Sequence, residues 1–235
     1  MTLPGDEIQI ILVWVIPTLF AITVHEAAHG IAAYYLGDKT AYIIGRMTIN
    51  PFKHIDPIGT ILVPMCLILT GSGIIFGWAK PVPVNDQALH HPKRDMALVA
   101  FAGPLSNLIM ALIWAGIFKA NLALQGGSTV SSSFGLLLMC LAGVKINCIL
   151  AAINLLPIPP LDGSRMVNVL LSKRLSYFYY QLESVGFIII LGLLLTGILG
   201  NIISPIDIYF KTQLSEWLNL PAHTFFLPVN MNYTF

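Results

Sequence analysis

IQIILVWVIPTLFAITVHEAAHGIAAYYL, residues 8–36, decides the fold of this chain. As an α-helix it runs about 44 Å at 1.5 Å per residue, longer than the roughly 30 Å hydrocarbon core of a bilayer. The stretch therefore reads as a membrane-spanning helix, yet it contains His25, Glu26 and His29. Ionisable groups inside a membrane-length segment are costly and mark function by default. Residues i and i+4 share a helix face, so His25 and His29 can grip one cation, with Glu26 beside it. The spacing is that of HExxH zinc hydrolases, in which neutral imidazoles bind Zn²⁺ and the glutamate acts as general base. Random placement at this composition yields the pattern in about 0.3% of chains, so the signal is specific.

Outside this stretch the composition is that of a membrane protein. Of 235 residues, 56% are hydrophobic and 10% charged, against roughly 25% charged in soluble domains. A net charge of +1 offers no basic surface, so nucleic acid is not an expected partner. Cys66, Cys140 and Cys148 lie in apolar segments without a CxxC pair and read as small core residues. Met1–Glu7 lacks the basic region and cleavage site of a signal peptide, which makes the first apolar run a permanent span.

Downstream, Gly37-Asp38 ends the first helix, and Lys39, Arg46 and Lys53 mark the following loop as cytoplasmic. The N-terminus then lies outside. Residues 41–49 alternate in polarity as a β-strand does, and 78–84 look extended, which predicts a small β-hairpin at the cytoplasmic mouth. Residues 58–76 are a marginal span broken by Pro64 and Gly71-Ser72-Gly73, with basic loops on both sides, which favours a re-entrant element over a short crossing. His54, His90 and His91 stand in polar loop sequence and are not expected to be ligands.

Further spans are expected at 94–118, about 134–156 and about 184–203, with the tail beyond them lying along the outer interface. In the first of these, Gly103 and Asn107 share a face, giving a packing notch and an amide that can contact substrate or another helix. In the second, Asn147 and Asn154 fall on one stripe toward the bundle interior, whereas Lys145 points elsewhere and has no assignable partner. That span ends in NLLPIPPLDG, residues 154–163, where three prolines break the helix beside the membrane. Asp162 there can be a third zinc ligand or the cap of a short helix over 164–171.

With HEAAH followed by Gly37-Asp38, AGPLSN at 102–107 and NLLPIPPLDG at 154–163, the chain resembles the site-2 protease family of intramembrane zinc metalloproteases. The resemblance covers roughly residues 15–172 and is to a compact bacterial type, without an inserted PDZ domain or a C-terminal CBS pair. It implies one Zn²⁺ per chain on His25, His29 and Asp162, and Glu26 as the general base. It also implies that Asn154 and the proline-broken segment around Pro157 help hold the substrate strand, together with the hairpin edge.

The expected fold is thus an all-α integral membrane protein: a polytopic bundle with four crossings, a re-entrant element and a small cytoplasmic-side β-hairpin. We expect one membrane-embedded metalloprotease domain over 1–235, with a catalytic core at about 8–172 and a C-terminal span and tail at 173–235. The expected setting is the bacterial inner membrane with the site toward the cytoplasm, and the expected partner is a transmembrane protein substrate, with Asn154, Pro157 and Asn107 as candidate substrate contacts. The rival reading is a zinc transporter or zinc-binding scaffold, for which a glutamate between the histidines has no evident use.

Overall fold

The structure is a computed structural model that describes residues 4–69, 77–124 and 134–226. Helix α1, Pro4–Tyr35, carries HEAAH in its last third. It stops because Gly37 takes φ +114°, a left-handed conformation that glycine adopts freely, and Asp38 N–H then returns to the Ala33 carbonyl at 2.9 Å. Among the described residues, two other helices are long and apolar enough to cross a membrane: α4, Pro92–Leu124, and α5, Phe134–Asn154. These three pack on one another.

Lipid tails are as apolar as leucine, so burial from water does not drive this packing, and close approach through small residues must. The buried faces match that requirement, with Ala21, Ala27 and Ala33 on α1, Ala111 and Ala115 on α4, and Ala142, Gly143, Ala151 and Ala152 on α5.

The expected hairpin is absent among the described residues, which contain no β-strand. Residues Thr40–Ile43 form a single helical turn, α2, closed by Gly45 at φ +68°. Its alternation of apolar residues is too short to dictate an extended chain. The segment 77–85 is extended but cannot join a ladder, because Pro81 and Pro83 have no N–H to donate. Its free donors go elsewhere: Lys80 N–H to the His54 carbonyl at 2.9 Å, and Val82 N–H to a side chain of α1.

Pro57–Leu62 forms a π-helical turn capped by Asp56, and α3, Val63–Leu69, continues from it. The chain comes back to where it left: Trp78 N–H donates to the Gly59 carbonyl at 3.1 Å, and Thr60 Oγ1 donates to the Trp78 carbonyl at 2.8 Å. The turn of the expected re-entrant element, 70–76, lies outside the described residues.

After α5, the short helix α6, Asp162–Asn168, packs on α4. Helices α7, Lys173–Gln181, and α8, Glu183–Leu195, meet at a 59° bend and reach membrane length only as a pair. The single span expected at 184–203 is corrected here. It breaks at Gly197, φ +72°, between α8 and α9, Ile198–Trp217.

Nor does α9 lie loose as an interfacial strip, since it packs on α5 and buries Lys211 in an ion pair with Asp207 at 2.5 Å. Lys145 of α5 sits over the Trp14 ring, 5.6 Å from its centroid. Inside a bundle a lone ammonium is expensive, and these contacts are what make the two lysines tolerable there.

Candidate active site

One turn of α1 separates His25 from His29, and their imidazoles meet edge to face at 4.6 Å between centroids. Their Nε2 atoms are 3.0 Å apart. Asp162, at the start of α6, brings Oδ2 to 3.1 Å from His25 Nε2 and 3.4 Å from His29 Nε2. Two parts of the sequence more than 130 positions apart thus present three ligand atoms to one point, all within 4.8 Å of one another.

The other ring nitrogens decide what these atoms are. His29 Nδ1 faces the Val99 carbonyl at 2.8 Å, and His25 Nδ1 faces Asn107 Oδ1 at 2.6 Å. Both partners only accept, so each Nδ1 carries a proton, and Nε2 is the ring nitrogen turned to Asp162. With both rings neutral, as metal ligation requires, two lone pairs and a carboxylate oxygen converge on one point. Asp162 Oδ2 is buried and has no hydrogen-bond partner among the described residues. Mutually repelling acceptors in a buried pocket are what a divalent cation satisfies, and an N₂O donor set with room for a solvent ligand fits zinc.

Two glycines make the convergence possible. A Cβ on Gly103 of α4 would lie 2.5 Å from His29 Cε1 and 2.6 Å from His25 Cε1, so the face-sharing notch is where the imidazoles rest. A Cβ on Gly163 would lie 2.4 Å from the Leu155 carbonyl oxygen, so only glycine lets α6 start hard against the end of α5. The prolines between them, with a cis Pro159–Pro160 bond, turn the chain from α5 into α6.

Glu26 does not join the three ligand atoms. Its Oε2 accepts from Val82 N–H at 2.8 Å, tying it to the extended 77–85 segment. A cavity of about 250 Å³ opens over His25, Glu26, His29 and Asp162, with Val82 on one wall and Asn154 and Arg165 on others.

Of the three candidate substrate contacts, Asn154 reaches this cavity, while its Nδ2 donates to the Leu150 carbonyl at 3.0 Å. The Pro157 carbonyl accepts from Tyr179 Oη at 2.5 Å. Asn107 is fully buried and turned to His25, away from the cavity wall. His54 is buried, with Nε2 on the Thr48 carbonyl at 2.9 Å, and stands apart from the cluster. Arg165 carried no signal as a site residue, and Val82 entered only as part of the expected hairpin edge. Alternating prolines around Val82 were the available hint, since they leave its N–H as the one donor in 81–83.

Comparisons with known proteins give the family. The model of peptidase family M50 matches residues 116–197, a stretch that includes Asn154 and Asp162. The chain is 40% identical over 193 residues, covering 81% of its own length and 84% of the relative's, to a Bacillus subtilis protein named "Putative zinc metalloprotease YwhC". It is 27% identical over 197 residues, 84% of this chain and 70% of the relative, to "Putative zinc metalloprotease Rip2" of Mycolicibacterium smegmatis. No solved structure matches the chain.

Fold, site and relatives define a membrane metalloprotease with several apolar spans. The chain belongs to peptidase family M50, the site-2 protease family. Zinc is the metal of that family and the cofactor of this chain.

Proposed function

We propose that this protein is an endopeptidase that cleaves a peptide bond in or near a transmembrane segment of a membrane-protein substrate. The carrying observation is the meeting of His25 Nε2, His29 Nε2 and Asp162 Oδ2 beneath a cavity lined by Glu26. His25, His29 and Asp162 hold one Zn²⁺, and Glu26 is the general base. Zinc, when bound, supplies Lewis-acid activation of a water and of the scissile carbonyl. Glu26 takes the proton of the attacking water and passes it to the leaving amide nitrogen. Val82 N–H fixes one carboxylate oxygen, so the other is the one that moves protons.

A helical substrate hides every amide in its own hydrogen bonds, so it must unwind before attack. Asn154 and the extended segment with Pro81 and Val82, all on the cavity wall, are the groups that would take up the freed backbone. Basic residues at 39–53 and in the first turn of α4, Lys93 and Arg94, support a mouth on the cytoplasmic side, and the return of Trp78 to Gly59 supports re-entry over a crossing. The chain then works as one membrane-embedded unit with its catalytic core at about 8–172.

The test is hydrolysis of a transmembrane peptide by the purified, detergent-solubilised protein. Cleavage by the native chain that falls at least a hundredfold in Glu26→Gln, with zinc retained, is the expected result. Zinc flux in proteoliposomes without any cleavage would replace the protease reading with that of a transporter.

A further inference from the structure

Asn107 on α4 and Asn147 on α5 are both fully buried. A buried amide is costly unless each of its groups is matched, and two leucines would pack the same space without that demand. Their hydrogen bonds form a directed chain. Asn147 Nδ2 donates to the Gly143 carbonyl at 2.8 Å, which turns its Oδ1 toward Asn107. Asn107 Nδ2 donates to that Oδ1 at 3.0 Å and to the Ala21 carbonyl at 3.2 Å, which turns its own Oδ1 toward His25 Nδ1. Flipping either amide would set donor against donor or acceptor against acceptor, so one orientation of the whole chain survives.

We propose that Asn107 and Asn147 are a positioning relay that holds the His25 proton on Nδ1 and fixes the ring, and so sets the affinity of the site for its metal. The proposal rests on the ligand assignment above. The two imidazoles are held differently. His29 is pinned by the Val99 backbone carbonyl, which no side-chain substitution removes, whereas His25 depends on two side chains from two other helices.

The relay spans α1, α4 and α5, so the packing of all three helices reaches the metal through His25. Asn147 does not line the cavity, and its side chain bonds to Gly143 and Asn107, so its link to the metal runs through Asn107. Outer partners of ligating histidines of this kind are worth 10- to 100-fold in metal affinity.

The experiment measures zinc affinity of the full-length protein in detergent by competition with a chromophoric chelator, together with the absorption spectrum of the cobalt-substituted form. Asn147→Leu is expected to weaken zinc binding about 10- to 100-fold and to alter the cobalt spectrum. Asn107→Asp, which keeps an acceptor facing His25 Nδ1, is expected to hold zinc more tightly than Asn107→Leu, which has none.

A merely structural role predicts otherwise: the buried carboxylate lowers melting temperature more than leucine does, and zinc affinity is native in both. Ser215→Ala, a buried polar deletion on α9 outside the relay, is the control and keeps native affinity. Native zinc affinity in Asn147→Leu and Asn107→Leu would overturn the relay while leaving the ligand assignment standing. If the native chain itself takes up no zinc, the assignment fails first.

Discussion

The backbone N–H of Val82 donates to Oε2 of Glu26 at 2.8 Å, binding the extended segment over the cavity to the residue beside the two histidines. Hydrogen bonds to charged groups contribute about 1.5–3 kcal/mol. Replacing Val82 by proline removes the donor and suits the extended backbone already flanked by Pro81 and Pro83. Val82→Pro is expected to lower kcat about ten- to a hundredfold with zinc content unchanged, whereas Val82→Ala, which keeps the N–H, stays within a fewfold of native. Steady-state cleavage of a transmembrane peptide checks both.

Gly103 gives a sharper result. The Cβ of an alanine there falls at about the same distance, 2.5–2.6 Å, from the Cε1 atoms of both imidazoles, so the rings must move. Gly103→Ala is expected to lose most bound zinc, measured by elemental analysis after gel filtration. The same substitution at Gly116 on the same helix meets nothing within 4 Å and is expected to leave zinc content native.

Asp38 ties the end of α1 to two later segments. Its carboxylate accepts from Thr40 N–H at 2.9 Å, Thr40 Oγ1 at 2.5 Å and Asn85 N–H at 2.7 Å. Burial alone would raise this carboxyl, but these hydrogen bonds favour its charged form and hold it below the usual aspartate value. A depressed native value means the stabilisation is complete above the unfolded value near 4 and fades as pH falls through the native one. Asp38→Asn is expected to cost about 2 kcal/mol at neutral pH and to lose little further stability on acidification. Melting temperatures between pH 7 and 3 in detergent would show the native and variant curves converging at the acid end.

The parts of the molecule legible in sequence were those set by local periodicity. HEAAH gave the paired imidazoles because i and i+4 always share a helix face, and Gly103 with Asn107 announced a notch and an amide by the same rule. Asp162 was legible as a carboxylate at a helix break, though its meeting with His25 needed the family resemblance.

What depends on distant partners was not legible. The alternation at 41–49 suggested a strand, but a glycine-closed helical turn forms there and the facing segment lacks the N–H groups a ladder needs. The span expected at 184–203 is continuous in hydrophobicity, and only the left-handed Gly197 divides it. The partner of Asn107 lies 82 positions away on α1, beyond any local pattern.

The most direct test of the account is X-ray absorption at the zinc edge of the loaded, native protein in detergent. Two imidazole nitrogens at about 2.0–2.1 Å and oxygen at about 2.0–2.2 Å are expected, with loss of one imidazole contribution in His25→Ala and of an oxygen in Asp162→Ala. A sulfur shell near 2.3 Å, or an unchanged spectrum in both variants, would contradict it.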